Sequence, residues 1–387
     1  MHKHHRALGL ASAPTGIRGG VDIAKLQPVQ PVTLLRPHAA RRAARFFVEK
    51  FPGRSLYAVK ANPSPDLLQI LWDSGVTHAD VVQAAQRIAG QIERTPLIES
   101  EVTGSRVWLK CECLQTGGAF KLRGATNRLL QLSSEERERG VVAFSSGNHA
   151  RGVALAARRL GIRAVIVMPA DAPQVKVEGT RSEGAEIIFY DRRTESREEI
   201  AAKISAETGA TVVPSFDDPA IVAGQGTAGL EILEQMPVAP RRIVIPCGGG
   251  GLASGIALAG PDARIVIVEP EGWDDMGRSL ELGEIVAVPA DAPDTFCDAL
   301  QTPRVSPITF DILRKRGAEA LSVSDTEVAD AMRFAWEKHG LVVEPGGAVG
   351  LAALLTGKAE PREATVVVVS GGNIDPALHA RIIANAV

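Results

Sequence analysis

"RRIVIPCGGGGLASGIALA", residues 241–259, joins an apolar run to a helix-like stretch through four consecutive glycines. The apolar run is continuous Ile and Val rather than alternating, as expected of a strand whose sheet is covered by helices on both faces. Helical patterns separate it from similar runs: VVAF (141–144), RAVIVMP (163–169), AEIIFY (185–190), TVVPSF (211–216), ARIVIVEP (263–270) and ATVVVVSGGN (364–373). The sequence therefore predicts a doubly wound α/β fold.

The composition is that of an ordinary globular protein. Of 387 residues, 45% are hydrophobic and 23% are charged, and the formal net charge of −2 argues against a general nucleic-acid or anionic-membrane surface. The 4 cysteines are too few for a disulfide framework in a chain of this length. No apolar run approaches the ~20 residues that span a bilayer, and the N-terminus is a poor secretion signal. We expect a cytoplasmic protein with a small-molecule partner and with no nucleic-acid or membrane partner.

The four glycines at 248–251 lie where a parallel strand ends and a helix begins, which is where such sheets bind ligands. Their backbone can approach an anion closely, so a phosphate is the expected ligand. Gly248, Gly250 and Ala253 also fit a loose G-x-G-x-x-A, and Glu269 ends the next strand, which is the outline of a dinucleotide site. At this point a dinucleotide and another phosphate-bearing cofactor both remain open.

Three other strand ends carry polar residues that suit chemistry. In TGGAFKLRGATNRLL (116–130), Lys121 begins a helix, where burial can lower its pKa enough for Schiff-base chemistry; a surface lysine is the alternative. SSGNHARG (145–152) offers hydroxyls, an amide and helix N–H groups to a carboxylate, or only a helix cap. VVVVSGGNID (366–375) presents Ser370 either to a ring nitrogen or to its own turn.

In this order, FKLRGA, SSGNH, CGGGGL and SGGN resemble the fold-type II pyridoxal-phosphate enzymes, and within them the branch of threonine and serine dehydratases and serine racemase. The resemblance covers residues 80–387 and disfavours the dinucleotide site, which explains neither Lys121 nor SGGN. It implies an α/β fold of two lobes, each a doubly wound parallel sheet. The large lobe would comprise residues 81–135 and 211–387, and the small lobe residues 136–210.

The resemblance also implies a role for each matched position. Lys121 would bind pyridoxal 5'-phosphate covalently and act as the catalytic base, and Ser146 matches the serine that the racemase uses as its second base. The cofactor would contact Phe120 through its ring, Asn148 through its ring hydroxyl, Gly248, Gly249, Gly250, Gly251 and Leu252 through its phosphate, and Ser370 through its ring nitrogen. The substrate carboxylate would bind Ser145, Ser146, Asn148 and His149.

The same branch of enzymes carries a divalent cation beside a VEP strand end. Here VEPEGWDD (268–275) would place Glu269, Asp275 and the Trp273 carbonyl around Mg²⁺, Mn²⁺ or Ca²⁺, which prefer oxygen ligands. A homodimer is expected as well. A C-terminal regulatory domain is not expected, because the chain ends soon after SGGN.

The resemblance implies an enzyme that converts a β-hydroxy amino acid, threonine or serine, to a 2-oxo acid and ammonia. The alternatives are a serine racemase, a 3-hydroxyaspartate ammonia-lyase, and a non-catalytic module that binds pyridoxal phosphate or an amino acid. DTFCDALQTPRVSP (294–307), expected near the substrate's β-substituent, departs from the ADG of many dehydratases and leaves the substrate open.

A second lysine, Lys60 in SLYAVKAN (55–62), lies in a segment that resembles the fold-type III decarboxylases and alanine racemase. That resemblance spans only residues 33–78, whereas the barrel of those enzymes needs about 250 residues. Without a barrel Lys60 has no phosphate site, so the working lysine is expected to be Lys121. Residues 1–80 are expected to be a short N-terminal extension with no assigned role.

Overall fold

The computed structural model describes residues 78–145, 147–260, 262–361 and 364–385. The chain divides into two compact units, Met1–Ala79 and Asp80–Val387. The predicted N-terminal extension, apart from its last three residues, and Lys60 with it lie outside the described residues, as does Ser146.

The described part of the chain alternates helices and strands, as the sequence predicts. In chain order the elements are α1 (His78–Ile88), β1 (Leu97–Val102), β2 (Ser105–Cys111), α2 (Lys121–Leu130), α3 (Ser134–Arg139), β3 (Val141–Phe144), α4 (Asn148–Leu160), β4 (Ala164–Pro169), α5 (Gln174–Ser182), β5 (Glu186–Tyr190), α6 (Arg197–Thr208), β6 (Thr211–Val212), α7 (Pro219–Gln235), β7 (Arg242–Pro246), α8 (Gly251–Ala259), β8 (Arg264–Pro270), α9 (Asp275–Leu282), α10 (Pro307–Lys315), β9 (Glu319–Val323), α11 (Asp325–His339), α12 (Pro345–Leu355), β10 (Thr365–Val369) and α13 (Pro376–Ile383). None of the helices in the described part of the chain combines the length and the apolar character needed to cross a membrane.

The larger sheet explains why the strand runs are continuous rather than alternating. Its strands lie in the order β1-β2-β10-β7-β8-β9, antiparallel between β1 and β2 and parallel elsewhere. Along β10, Val367 and Val369 belong to the core that α11 and α12 cover, whereas Val366 and Val368 belong to the core that α7 and α8 cover. Both faces of the sheet are therefore buried, as in other doubly wound folds. This sheet with α7 to α13 is called the large lobe below.

The smaller sheet has the order β5-β4-β3-β6 and is parallel throughout. With α4, α5 and α6 it forms the small lobe, residues 141–212. The predicted run TVVPSF is a strand only over Thr211–Val212, since Pro214 has no N–H for a sheet hydrogen bond. Helix α2 falls in the range 81–135 predicted for the large lobe, but it contributes to the core on this sheet through Leu122, Ala125 and Leu129.

Helix α7 packs closely, backbone against backbone, on both α2 and α8. A Cβ on Gly224 would lie 2.6 Å from the Gly124 Cα, and a Cβ on Gly226 would lie 2.6 Å from the Gly255 carbonyl oxygen. No real side chain fits at such distances, so these glycines let three helices touch along their backbones. The stretch AGQG (223–226) thereby fixes the positions of α2 and α8 relative to each other.

The carboxyl ends of three strands meet at one cavity, as expected of parallel sheets. Phe144 ends β3, Pro246 ends β7 and Ser370 follows β10, and all three line this cavity. The SSGNH, CGGGGL and SGGN motifs follow these three strands, whereas Lys121 begins α2, which comes after β2.

Candidate active site

The glycine loop, residues 248–251, lines the cavity between β7 and the first turn of α8. A Cβ on Gly249 would lie 2.3 Å from the Phe216 ring. Gly250 has φ +83°, and its Cβ would lie 2.7 Å from the Met276 Cε. Only glycine fits at these two positions, and the first N–H groups of α8 have no partner within the helix. The loop is therefore suited to bind a phosphate group.

Lys121, the first residue of α2, lines the same cavity. Its Nζ donates to the Ser215 carbonyl oxygen at 3.1 Å and lies 5.2 Å from the centre of the Phe120 ring. Burial lowers the pKa of Lys121 to about 8, against the opposing effect of the Glu344 carboxylate. Near neutral pH a larger share of this amine is therefore uncharged than in an exposed lysine, as a nucleophile or a base requires.

Asn148, the first residue of α4, is held by two side chains of the large lobe. Its Nδ2 donates to Glu344 Oε1, and its Oδ1 accepts from the Asn373 Nδ2 at 2.8 Å. These contacts fix the orientation of the amide and leave one N–H of Nδ2 for a ligand. Asn373 was not among the predicted site residues, although it ends the SGGN motif that was recognised.

Ser145 and His149 flank Asn148 and also line the cavity. The Ser145 Oγ accepts a hydrogen bond from the Gly147 N–H at 3.2 Å. The His149 Nε2 donates to the Val213 carbonyl at 2.9 Å, because a carbonyl can only accept. Its Nδ1 is then an acceptor, buried and without a hydrogen bond to any described residue. The predicted binding of a carboxylate by His149 would thus have to use its backbone N–H in the first turn of α4.

The imidazole of His149 is neutral in this setting. Burial lowers the pKa of His149 to about 3, and the nearby Lys121 contributes to the lowering. A neutral ring beside Lys121 does not raise the pKa of the amine, whereas a carboxylate in the same position would raise it.

Ser370 and Phe120, both predicted to contact the cofactor ring, are neighbours in the structure. The Phe120 N–H donates to the Ser370 carbonyl at 3.2 Å, and both residues line the cavity. Ser370 is buried. The structure thus places the ring-contacting candidates, the glycine loop and Lys121 around one cavity, while their roles there stay predictions.

Glu344 is a site residue that the sequence analysis missed. It precedes α12, lines the cavity and is 1% exposed. Burial raises the pKa of Glu344 to about 7, and the ammonium of Lys176 opposes this rise. The signal was present in VVEPGGAVGLAAL, where one acid interrupts an otherwise apolar motif.

Arg197 was also missed, and its sequence context gives no signal, since TESREEIAAK reads as the charged start of a surface helix. It begins α6 and lines the cavity, with its Cζ 5.4 Å from the centre of the Phe144 ring. Its Nε donates to Glu198 at 2.8 Å. Asp298–Thr302, from the segment that departs from ADG, line the cavity too.

The predicted metal ligands lie outside this cavity. Glu269 is fully buried, and its carboxylate accepts from the N–H groups of Met276 at 3.1 Å and Gly277 at 2.8 Å. Both carboxylate oxygens of Asp275 are buried, and no described side chain donates to them, although the backbone N–H groups of Asp275 and Val305 lower its pKa. The Trp273 indole N–H donates to the Pro293 carbonyl at 2.8 Å.

Electrostatics couple the two acids. Burial raises the pKa of Glu269 well above its usual range, and Asp275 raises it further, while burial raises the pKa of Asp275 to about 7. Within the part of the chain that the structure describes, no group of three or more His, Cys, Asp or Glu side chains is placed to hold a metal ion. Two buried acids fit a cation only if backbone carbonyls or water complete its coordination.

Comparison with known proteins places these features in a family context. Residues 88–372 match the family model for pyridoxal-phosphate dependent enzymes. The chain is 45% identical over 316 residues to L-threo-3-hydroxyaspartate ammonia-lyase of Pseudomonas sp, covering 79% of this chain and 98% of that protein. It is 40% identical to serine racemase of Schizosaccharomyces pombe, covering 79% and 97%. The structure matches that of maize serine racemase with a TM-score of 0.73 and 38% identity, covering 79% and 96%. The family match includes every predicted site residue from Phe120 to Ser370.

Proposed function

This chain belongs to the pyridoxal-phosphate dependent enzymes, and we propose that it is an ammonia-lyase for β-hydroxy amino acids. The observation that carries the proposal is that the Lys121 amine, with its lowered pKa, shares one cavity with the glycine loop. The residues present fit the cofactor. The glycine loop at the start of α8 suits its phosphate, Lys121 suits a covalent bond to its aldehyde, and Ser370 offers a neutral hydroxyl to its ring nitrogen.

When bound, pyridoxal phosphate supplies the electron withdrawal that makes the Cα proton of an amino acid acidic. The Lys121 Nζ, as a neutral amine, takes this proton. Ser145, the first turn of α4 and the free N–H of Asn148 hold the substrate. Overall, the substrate would lose its β-hydroxyl as water together with the Cα proton that Lys121 takes, and water would hydrolyse the released enamine to a 2-oxo acid and ammonia. Phe120, Phe144 and Phe216 give the cavity apolar walls that limit the access of water.

Among β-hydroxy amino acids, we propose 3-hydroxyaspartate as the preferred substrate, rather than the threonine or serine that the sequence favoured. The Arg197 Nε is paired with Glu198, and neither Nη group makes a hydrogen bond to a described residue. A guanidinium binds a carboxylate with two parallel hydrogen bonds, so Arg197 suits the second carboxylate of a dicarboxylic substrate. The 45% identity to a relative named for this substrate supports the same choice.

The experiment is an assay of ammonia and 2-oxo acid release from L-threo-3-hydroxyaspartate, L-threonine and L-serine. We expect kcat/KM to be highest for hydroxyaspartate, and Arg197→Gln to raise KM for that substrate by about 100-fold while changing KM for serine less than about threefold. The KM of Arg197→Lys for hydroxyaspartate should lie between those of the parent and Arg197→Gln, since lysine keeps the charge but loses the paired hydrogen bonds. Faster turnover of serine or threonine by the parent enzyme would contradict the substrate choice.

Racemase activity is the second candidate, because serine racemase is among the relatives. Chiral analysis of recovered substrate distinguishes the two reactions in the same assay. Inversion that outpaces ammonia release would make the chain a racemase, and cofactor absorbance without either product would make it a non-catalytic binding module.

We further propose that Glu269 and Asp275 bind a divalent cation together with backbone oxygens, including the Trp273 carbonyl. The burial of both acids with no described cationic side chain paired to Asp275 supports this proposal, and hard oxygen ligands favour Mg²⁺, Mn²⁺ or Ca²⁺. The pair lies outside the cavity lining, so the cation would stabilise the large lobe rather than take part in the reaction. A cytoplasmic homodimer stays a prediction of the sequence.

A further inference from the structure

A buried lysine that no motif pointed to lies at the boundary between the lobes. Lys176 belongs to α5 of the small lobe, and its side chain is 6% exposed. Its Nζ donates to Asp298 Oδ2 at 2.5 Å and lies 3.7 Å from Glu344 Oε2. Both acids belong to the large lobe and line the cavity, whereas Lys176 does not line it.

Lys176 also supports the loop that is proposed to hold the substrate carboxylate. A Cβ built on Gly147 would lie 3.1 Å from the Lys176 Cδ and 3.3 Å from its Nζ. The next residue, Asn148, donates to the same Glu344 that faces Lys176. Residues 147–149 are thus held in two ways: Gly147 packs against the Lys176 side chain, and Asn148 donates to the Glu344 carboxylate, which the Lys176 ammonium faces at 3.7 Å.

We infer that Lys176 is a positioning residue, which holds residues 147–149 in their substrate-binding arrangement by pairing with Asp298 and Glu344 across the two lobes. This inference rests on the proposed function only in taking these residues to bind the substrate. Removing one member of a buried charge pair leaves the other uncompensated, so without Lys176 the two acids would separate from the small lobe or take up protons. Separation breaks the hydrogen bond that Asn148 donates to Glu344, and protonation weakens it, because a carboxylic acid is a poorer acceptor than a carboxylate.

Charge supports the same arrangement. Burial lowers the pKa of Lys176, but Glu344 and Asp298 outweigh burial and leave it raised. Lys176 therefore remains an ammonium throughout the neutral range and does not act as a base. Its contribution is a fixed charge and a set position.

The test compares Lys176→Met, which keeps the length but removes the charge, with Lys176→Arg, which keeps the charge. Lys203→Met is the matched control, because Lys203 lies on α6 of the same lobe with a side chain 75% exposed. Hydrogen exchange of the amides at 147–149 is measured on each protein without substrate, and KM and kcat are then measured with the best substrate of the parent.

We expect Lys176→Met to speed exchange at 147–149 by about tenfold or more and to raise KM by about 30-fold, with a smaller change in kcat. Lys176→Arg should restore both to within about fivefold of the parent, and Lys203→Met should change neither. Exchange and KM unchanged in Lys176→Met would overturn the inference.

A second variant covers a failure of Lys176→Met to fold. Asp298→Asn removes the nearest partner and leaves the lysine in place, so it should speed exchange at 147–149 as well; unchanged exchange there would overturn the inference. If the parent released no ammonia from any β-hydroxy amino acid, the proposed function would fail, while the exchange measurement would still decide the role of Lys176.

Discussion

Two lysines on different parts of the fold, Lys121 at the start of α2 and Lys176 on α5, interact with the same buried carboxylate, Glu344, and their pKa values shift in opposite directions. Burial lowers both. Lys121 has a neutral carbonyl as its hydrogen-bond partner, so its pKa falls to about 8. Lys176 has two carboxylates, Asp298 and Glu344, and its pKa rises. The number of carboxylate partners, rather than burial, decides which lysine does amine chemistry and which serves as a fixed charge.

The largest difference should appear when each lysine in turn is replaced by arginine, which keeps the charge but cannot become a neutral amine at neutral pH. Lys121→Arg should lose at least about 10³-fold of the ammonia-releasing activity, because nucleophile and base are removed together. Lys176→Arg should stay within about fivefold of the parent. Initial rates of 2-oxo acid formation measure both, and equal losses in the two variants would remove the distinction between them.

Lys121 has a neutral hydrogen-bond partner, the Ser215 carbonyl, and the cofactor ring nitrogen is proposed to have another, the Ser370 hydroxyl. Ser370→Asp tests whether the neutrality of this second partner matters. An aspartate facing the ring nitrogen would hold a proton there, making the cofactor a stronger electron sink. We expect ammonia release to fall about 10- to 100-fold, and proton exchange at Cα or transamination to take a larger share of turnovers.

The share is measured as deuterium entering recovered substrate relative to 2-oxo acid formed. Ser370→Ala is the control, since it removes the hydroxyl without adding charge and should keep the product ratio of the parent. Clean elimination by the aspartate variant would show that Ser370 does not face the ring nitrogen.

Glu344→Gln should shift the pKa of Lys121 further down, since the Glu344 carboxylate opposes the lowering. Only the neutral amine can attack the aldehyde of the cofactor. The rate at which cofactor-free protein takes up pyridoxal phosphate should thus rise about tenfold per pH unit below about pH 8 and level off above it. In Glu344→Gln the midpoint should lie at lower pH.

Stopped-flow absorbance follows this uptake across the pH range. Glu207→Gln serves as the control, because Glu207 is an exposed acid on α6. A midpoint that moved upward in Glu344→Gln would mean that Glu344 does not act on Lys121 through its charge.

The comparison also shows what the sequence could and could not predict. The continuous Val and Ile runs predicted the doubly wound fold, and the motifs at strand ends predicted Lys121, Asn148, the glycine loop and Ser370, which all line one cavity. These residues are recognisable because each motif is local in sequence. Lys176 and Asp298 are 122 residues apart in sequence, and they form an ion pair only because the folded chain brings the two lobes together. No local pattern distinguishes such a lysine from one on a helix surface.

A second pair of buried acids, Glu269 and Asp275, has no lysine beside it. Neither Glu269 nor Asp275 makes an ion pair with a described residue, and a cation would take the place that Lys176 fills beside Glu344. A bound ion at about 100 times its Kd stabilises a protein by about 2.7 kcal/mol, so removal with a chelator should lower Tm by a few degrees. Added Mg²⁺, Mn²⁺ or Ca²⁺ should restore it.

Asp275→Asn should make Tm insensitive to the chelator. Asp274→Asn is the matched control, because Asp274 is the neighbouring acid and pairs with Arg278 instead. If neither the chelator nor the added cation changes the Tm of the parent protein, no stabilising metal binds at Glu269 and Asp275.

The most direct test of the distinction between the lysines is borohydride reduction of the cofactor-loaded protein, followed by peptide mapping of the reduced lysine. The reduction makes the bond between lysine and cofactor permanent, so the modified peptide reports which amine holds the cofactor. We predict that the label lies on Lys121 alone, in the peptide containing FKLRGA. A label on Lys176, or on Lys60 in YAVKAN, would contradict the assignment of the amine chemistry to Lys121.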